Sequence, residues 1–247
     1  MAERKEAAEV PDPELSLVIP AYNEEECIQG TVREAREVLL GMGRSFEILV
    51  VDDGSTDGTH RLAGELKGEM EELRLLRLEP NSGQSAAMLT GIKRARGEIT
   101  LLMDADGQND PAAIPDLVAG LEGADMCCGY RAERKDTFAR RIGSRIANAV
   151  RDWLLGDGII DTGCTLKAFR TGLMREFDIW RGMHRFLPAL AQMRGAAIKQ
   201  IPVNHRPRTA GTSKYNNMGR LGKTIPDVLA VRWMQRRRRN FAVEEEA

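Results

Sequence analysis

Two aspartates one residue apart, Asp104 and Asp106, follow the apolar run Ile99–Met103. One carboxylate holds a hard divalent cation weakly. Two carboxylates and a diphosphate can complete an oxygen shell while the ion keeps some of its waters. A cation held in that way offsets negative charge developing on a departing diphosphate. In isolation the same Asp-x-Asp could close an Asx turn with both acids solvated. Two more polar clusters also follow apolar runs and shift the balance: Pro20-Ala21-Tyr22-Asn23-Glu24 after Leu15–Ile19, and Asp52-Asp53-Gly54-Ser55 after Phe46–Val51. Asp53 can accept hydrogen bonds from a ribose or a base, or cap the helix that follows Thr56. Tyr22 can stack on a nucleobase or simply pack. The Asn81-Ser82-Gly83-Gln84-Ser85 turn can bring backbone N–H groups near a ligand, or serve as an ordinary helix start.

Other chemistries lack their residues. There is no G-x-S-x-G elbow, no G-x-G-x-x-G after the first apolar run and no G-x-x-x-x-G-K-[ST]. Cys27, Cys127, Cys128 and Cys164 form no C-x-x-C pair, which fits reduced, buried thiols. His60, His184 and His205 have no metal-ligand spacing and read as structural or surface residues.

The elements that must position these groups alternate. The pattern predicts strands at Leu15–Ile19 (ended by Pro20), Phe46–Val51, Leu73–Leu78, Ile99–Met103 and Ala124–Gly129. Between them it predicts helices at Glu24–Leu40, after Asp57, at Ser85–Ala95 and at Pro111–Leu121. Such alternation predicts parallel βαβ units, whose doubly buried strands explain unbroken apolar runs such as ILVV and ITLLM. Ligands of an open α/β sheet lie beyond the carboxyl ends of its strands, where the three polar clusters fall. After Tyr130 the pattern is irregular. It predicts a basic helix at Phe138–Leu155, strands at Cys164–Phe169 and Ile198–Val203, a helix at Phe186–Met193 and a long final helix at Asn217–Arg239.

With 42% hydrophobic and 30% charged residues, the 247-residue chain has the composition of a globular protein. A net charge of -1 selects no polyanionic partner globally. Charge is nevertheless uneven: Ile201–Asn240 holds ten Lys or Arg residues and one acid, Asp227, a local +9. Nucleic-acid binding there would require interleaved aromatics, and Trp233 and Phe241 alone flank the Arg236–Arg239 run. Leu221, Ile225, Val228, Leu229 and Trp233 recur at helical spacing ahead of Arg236–Arg239. This helix either lies on a membrane face, with Trp233 and Met234 at the interface and the arginines on anionic headgroups, or packs on the domain. The first 14 residues are polar and read as a lead-in without a signal peptide, and no stretch reaches the roughly 18 apolar residues that span a bilayer. The expected organisation is a disordered segment 1–13, a catalytic domain 14–215 and a C-terminal helix and tail 216–247. The expected location is cytoplasmic and peripheral on the membrane.

VIPAYNEEE, EILVVDDGSTDGT, NSGQSAAMLTGIKRARGEI and LLMDADGQNDP occur in order over residues 15–111. On these segments the chain resembles a family 2 glycosyltransferase. GYRAERKDTFARRIGS, DTGCTLKAFR and RTAGTSKYNNMGR resemble the dolichyl-phosphate mannose synthase branch, whose bacterial relatives act on undecaprenyl phosphate. The resemblance implies a GT-A fold, a Rossmann-like, mostly parallel sheet flanked by helices, here with a basic amphipathic C-terminal helix. It also implies inverting transfer from a UDP- or GDP-sugar to a polyprenyl phosphate with Mg²⁺ or Mn²⁺, and allows a homo-oligomer. By position, Pro20, Ala21, Tyr22, Glu24 and Asp53 would hold the nucleoside, with Gly83 nearby. Asp104, Asp106 and Gln108 would hold the metal and the diphosphate. Arg131, Arg141, Arg208, Ser213 and Lys214 would surround the acceptor phosphate.

A phosphate monoester has a second pKa of about 6, so it can attack without an enzymic base. It requires instead a cation on the donor side and arginines on its own. Arginines at 131, 140–141 and 206–208 supply the second need, and Arg131 directly follows a predicted strand. Arg134, Arg140, Arg145 and Arg151 read mostly as a solvated helix face. The rival is a family 2 enzyme acting on a saccharide hydroxyl. It would need a base, for which Asp161 is the best acid available.

Overall fold

A computed structural model describes residues 11–132, 151–178, 180–207 and 218–238, the backbone alone over 218–224. Among the described residues seven strands form one sheet in the order β3-β2-β1-β4-β6-β5-β7. They are β1 Leu15–Ala21, β2 Phe46–Asp52, β3 Leu73–Arg77, β4 Ile99–Leu102, β5 Met126–Arg131, β6 Lys167–Arg170 and β7 Ile198–Val203. β1 lies parallel to both β2 and β4, and β2 to β3. β6 is the exception: it runs antiparallel between β4 and β5, while β5 and β7 are again parallel. The sheet is thus mixed α/β and mostly parallel, as expected.

The helices are α1 Ile28–Gly41, α2 Thr59–Glu69, α3 Gln84–Arg94, α4 Ile114–Ala119, α5 (described over 151–155), α6 Thr171–Arg175, α7 Leu187–Met193 and α8 Met218–Arg237. Both sheet faces are covered. Leu15, Leu17 and Ile19 of β1 join α1, α2 and α4 in one buried cluster, whereas Val18 joins α3, α6, α7 and α8 in the other. This two-sided burial is why the strands read as continuous apolar runs. Helix α3 lies so close to β1 that a Cβ on Gly91 would stand 2.2 Å from Val18 Cγ1.

Three of the boundaries that differ from the sequence reading have a plain local cause. β1 continues through Pro20 to Ala21 because Pro20 is past the last β1 residue paired with β4, where a missing N–H is tolerated. α1 begins at Ile28, since residues 24–27 form a separate turn in which Ile28 N donates to Glu24 O at 2.9 Å. β6 begins at Lys167 because residues 164–166, though buried, are irregular.

α8 has two unlike faces. Val228 and Val231 are buried, and Met234 packs on them instead of facing outward as the interfacial reading placed it. Ile225, Leu229 and Trp233 are each more than half exposed. Among the described residues no helix is long and apolar enough to cross a membrane. The four cysteines are buried and form no disulfide, as expected.

Candidate active site

The carboxyl ends of β2, β1 and β4 are neighbours on one edge, so the three polar clusters meet there. Short bonds tie them together. Asp53 N donates to Ala21 O at 2.8 Å, and Met103 N to Val18 O at 3.1 Å. Asn23, in the left-handed region with φ 52°, accepts from Thr56 N at 2.8 Å. Glu24 N donates to Thr59 Oγ1 at 2.7 Å, and Glu25 accepts from Gly58 N at 2.7 Å. Pro20 and Ala21 are buried, while Tyr22 and Glu24 are half-buried at the rim.

Asp53 has a definite task. Its carboxylate accepts from Ser82 N and Gly83 N, both at 2.8 Å, and from Asn81 Nδ2 at 2.9 Å. Burial raises its pKa, against the pull of these donors. It therefore holds the turn that starts α3 and does not cap α2. Asp57 takes that place, accepting from Thr59 N at 2.9 Å. The N–H groups of Ser82 and Gly83, read as ligand donors, are directed at Asp53.

The acid pair lies just past β4. Asp104 Oδ1 accepts from Gln84 Nε2 at 3.0 Å and Oδ2 from Thr165 Oγ1 at 2.5 Å. Its pKa is pushed up to about 6, first by burial and then by the charge of Asp106, while Thr165, Lys167 and Gln84 oppose the rise. Lys167 is itself buried, and its Nζ donates to Cys164 O. Asp106 Oδ1 accepts from Gln108 N at 3.1 Å. The Gln108 side-chain nitrogen lies 3.5 Å from both His205 Nε2 and Arg206 O, toward the end of β7.

These residues fit a hard divalent cation. Two neighbouring carboxylates, one short of compensating charge, gain from a cation, and their oxygens suit Mg²⁺ or Mn²⁺. Among the described residues no group of three His, Cys, Asp or Glu could complete a site alone. The remaining positions of such an ion would be left to a diphosphate and water.

The chain end beyond β7 braces this loop. Asn109 bridges His205, Asp104 N donates to Asn109 Oδ1 at 2.8 Å, and Arg206 N to Gln108 O at 2.9 Å. The Arg206 guanidinium spans Glu34, at 2.7 and 2.8 Å, and Asp110, at 2.8 Å. Arg206 is thus an anchor, not the phosphate ligand the sequence reading allowed. Arg131 is likewise engaged: Nε and Nη2 meet Asp161 at 2.6 and 2.9 Å, and Arg131 N donates to the same carboxylate at 3.3 Å. Arg151, read with a solvated face, is buried against Asp157 at 3.0 Å. Arg141, Arg208, Ser213 and Lys214 lie outside the described residues.

Sequence reasoning missed Gln84, Thr165, Lys167 and the bracing by Asn109, His205, Arg206 and Asn204, whose Nδ2 donates to Asp110 Oδ2 at 2.9 Å. The available signals were a lysine inside a predicted strand and Gln84 inside the glycine turn. It also missed Ser85, whose Oγ meets His184 Nδ1 at 2.7 Å.

The glycosyl transferase family 2 profile matches residues 16–180. The dodecaprenyl-phosphate galacturonate synthase of Rhizobium johnstonii is 38% identical over 229 residues, covering 90% of this chain and 68% of the relative. The glucosyl-3-phosphoglycerate synthase of Mycobacterium tuberculosis, solved with Mn²⁺, UDP and glucosyl-3-phosphoglycerate, superposes with a TM-score of 0.67 at 20% identity, over 90% of this chain and 80% of its own. The same enzyme with Mg²⁺ and UDP gives a TM-score of 0.68 at 19% identity, over 90% and 79%. At that identity the likeness shows a shared fold, the GT-A arrangement of a glycosyltransferase.

Proposed function

The chain belongs to glycosyl transferase family 2 and is a glycosyltransferase, and from that membership we propose that it moves a sugar from a nucleotide-sugar to a polyprenyl phosphate, with inversion at the anomeric carbon. The observation that carries the reading is the under-compensated Asp104–Asp106 pair at the carboxyl end of β4. Mg²⁺ or Mn²⁺ bound there would neutralise charge on the departing nucleoside diphosphate. Asp104 and Asp106 would hold it, with Gln84 and Thr165 fixing the Asp104 carboxylate. Tyr22 and Glu24 at the rim, on the buried Pro20–Ala21 segment, would receive the nucleoside. Asp53 would act by holding Asn81–Gly83 in place. The complexes of the mycobacterial enzyme favour uracil as the base. The name of the rhizobial relative favours a long polyprenyl phosphate, such as undecaprenyl phosphate, and adds a hexuronic acid to the sugars worth testing.

An acceptor phosphate oxygen attacks the anomeric carbon as the bond to the diphosphate breaks. The dianion is already the nucleophile, so the chain needs donors on its acceptor side, not a base. Arg141, Arg208, Ser213 and Lys214 are the proposed donors, with Arg131 setting the wall through Asp161. The rival reading, transfer to a saccharide hydroxyl, needs a proton acceptor. Asp161 serves it poorly, because its carboxylate is already engaged by Arg131 and by Gly163 N, which donates to it at 3.1 Å. Encounter with a lipid acceptor places the enzyme on a membrane surface, on the cytoplasmic side where nucleotide-sugars are made. Within the chain we place the catalytic domain at 14–215 and the C-terminal helix and tail at 216–247.

The test is incubation of purified protein with labelled UDP-sugars, polyprenyl phosphate and Mn²⁺. Label should move to the organic phase, and chelation should stop it. Label found only in water-soluble saccharide would defeat the lipid-phosphate reading.

A further inference from the structure

The chain has three tryptophans. Two are strongly exposed on adjoining helices, Trp153 at 82% on α5 and Trp233 at 62% on α8. The helices are joined: Gln235 Nε2 donates to Leu155 O at 3.1 Å, and Leu155 shares a buried cluster with Val228 and Val231. Along α8 the exposed Ile225, Leu229 and Trp233 recur every fourth residue and form one stripe, opposite the buried Val228 and Val231. By the same spacing Arg232 and Arg236 border one side of the stripe and Arg237 the other. The Arg237 guanidinium carbon lies 6.0 Å from the Trp233 ring centroid.

A contiguous apolar stripe of this kind marks a contact surface. Tryptophans give an apolar body with a polar N–H, and flanking arginines give charge that reaches anionic headgroups. A second copy of the chain fits less well. A two-fold contact through this stripe would set arginines against arginines, and the one acid among the described α8 side chains, Asp227, points elsewhere, against Gly182.

The face is also tied to the acid pair. Asp227 Oδ2 lies 2.8 Å from where a Gly182 Cβ would stand, Gly182 N donates to Ser85 Oγ at 3.0 Å, and the adjacent Gln84 holds Asp104. We propose that α5 and α8 together dock this protein on an anionic bilayer, with Trp153, Leu229 and Trp233 at the boundary between headgroups and acyl chains and Arg232, Arg236 and Arg237 on lipid phosphates. The purpose of this docking rests on the lipid-acceptor reading above, but the docking itself does not.

The full-length chain is floated with vesicles of phosphatidylcholine alone and of phosphatidylcholine mixed equally with phosphatidylglycerol. The wild type should float with the mixed vesicles, and brominated lipid should quench its tryptophan fluorescence. Trp153→Ala and Trp233→Ala should each weaken binding, and the double variant should lose at least about tenfold. An unchanged thermal shift with UDP and Mn²⁺ shows that the variant is folded. Binding of the double variant equal to wild type would overturn the proposal. So would loss with Trp233→Ala but none with Trp153→Ala, or a dimer that the substitutions dissolve while vesicles bind neither form. Transfer to a short, water-soluble polyprenyl phosphate should survive in the double variant. If the wild type floats but cannot use that acceptor, the lipid-acceptor reading fails and the docking face stands.

Discussion

Glu47, which is buried, and Asp104, which is partly buried, are carboxylates at opposite ends of one sheet, and the protein treats them differently. Near the start of β2, Glu47 accepts from Ser16 Oγ at 2.7 Å, Arg96 N at 2.7 Å, Arg74 Nη1 at 2.6 Å and Arg96 Nε at 3.1 Å. Burial alone would push its pKa up, but the Arg96 N–H, Arg74 and Ser16 outweigh it and hold the carboxyl below its usual range. Past the end of β4, Asp104 has Gln84 and Thr165, a buried lysine further off, and a second acid beside it. Burial wins there, aided by Asp106. A carboxylate that serves the fold has its charge met inside the chain; one that serves a ligand has the charge left for that ligand to meet.

The contrast is tested most severely by Asp106→Asn. Turnover should fall at least about a thousandfold, about 4 kcal/mol of transition-state stabilisation, with the melting temperature held. Undiminished kcat/KM in the purified variant would refute the assignment. Next, Glu47→Gln should leave kinetic constants unchanged but cost about 2 kcal/mol of stability by urea titration, since it strips one buried partner from two arginines. Its pH signature follows from its lowered pKa: the folded state binds fewer protons than the unfolded one below the ordinary value of 4.5. Wild type should lose stability as the pH drops through that region, and the variant should lose less.

Asp104→Asn should have the opposite sign. With a folded pKa near 6 against an ordinary 3.8, the metal-free fold holds a proton that the unfolded chain releases between those values. The cost of Asp104 is full above about 6 and fades as the pH falls toward 3.8. Without metal at neutral pH the variant should therefore melt higher than wild type, by about 2–4 °C for each kcal/mol relieved. Added Mn²⁺ should reverse the order by stabilising only the wild type. Smallest of all, Arg96→Ala should cost about 0.5–1 kcal/mol, because half its side chain is in solvent and Arg74 remains. A larger loss would mean that Glu47 depends on a single partner.

Much of this was legible in the chain because parallel strands announce themselves as apolar runs and their ends as polar clusters. Leu15–Ile19, Phe46–Val51 and Ile99–Met103 placed three neighbouring strand ends, and so the Asp53 and Asp104 loops, within a residue or two. Direction was not legible. Cys164–Phe169 reads as buried, but periodicity reports burial and not orientation, so the antiparallel insertion of β6, which sets Thr165 on Asp104, stayed hidden. Partners far apart in sequence were equally hidden. Arg131 and Asp161 each looked available, one for phosphate and one as a base, until folding placed them against each other. For α8, packing and an exposed apolar stripe were read as alternatives, whereas a helix has room for both on opposite faces.

The Arg206 anchor bears on the order of assembly during synthesis. The proposed nucleoside side is closed by bonds among residues 21 to 83, in about the first third of the chain. The carboxylate loop at 104–110 is fastened by Asn204, His205 and Arg206, about a hundred residues later. A nascent chain emerging from the ribosome thus shapes its proposed nucleotide seat well before it can fix the proposed cation grip, and acquires the second only when the strand at 198–203 has been laid down.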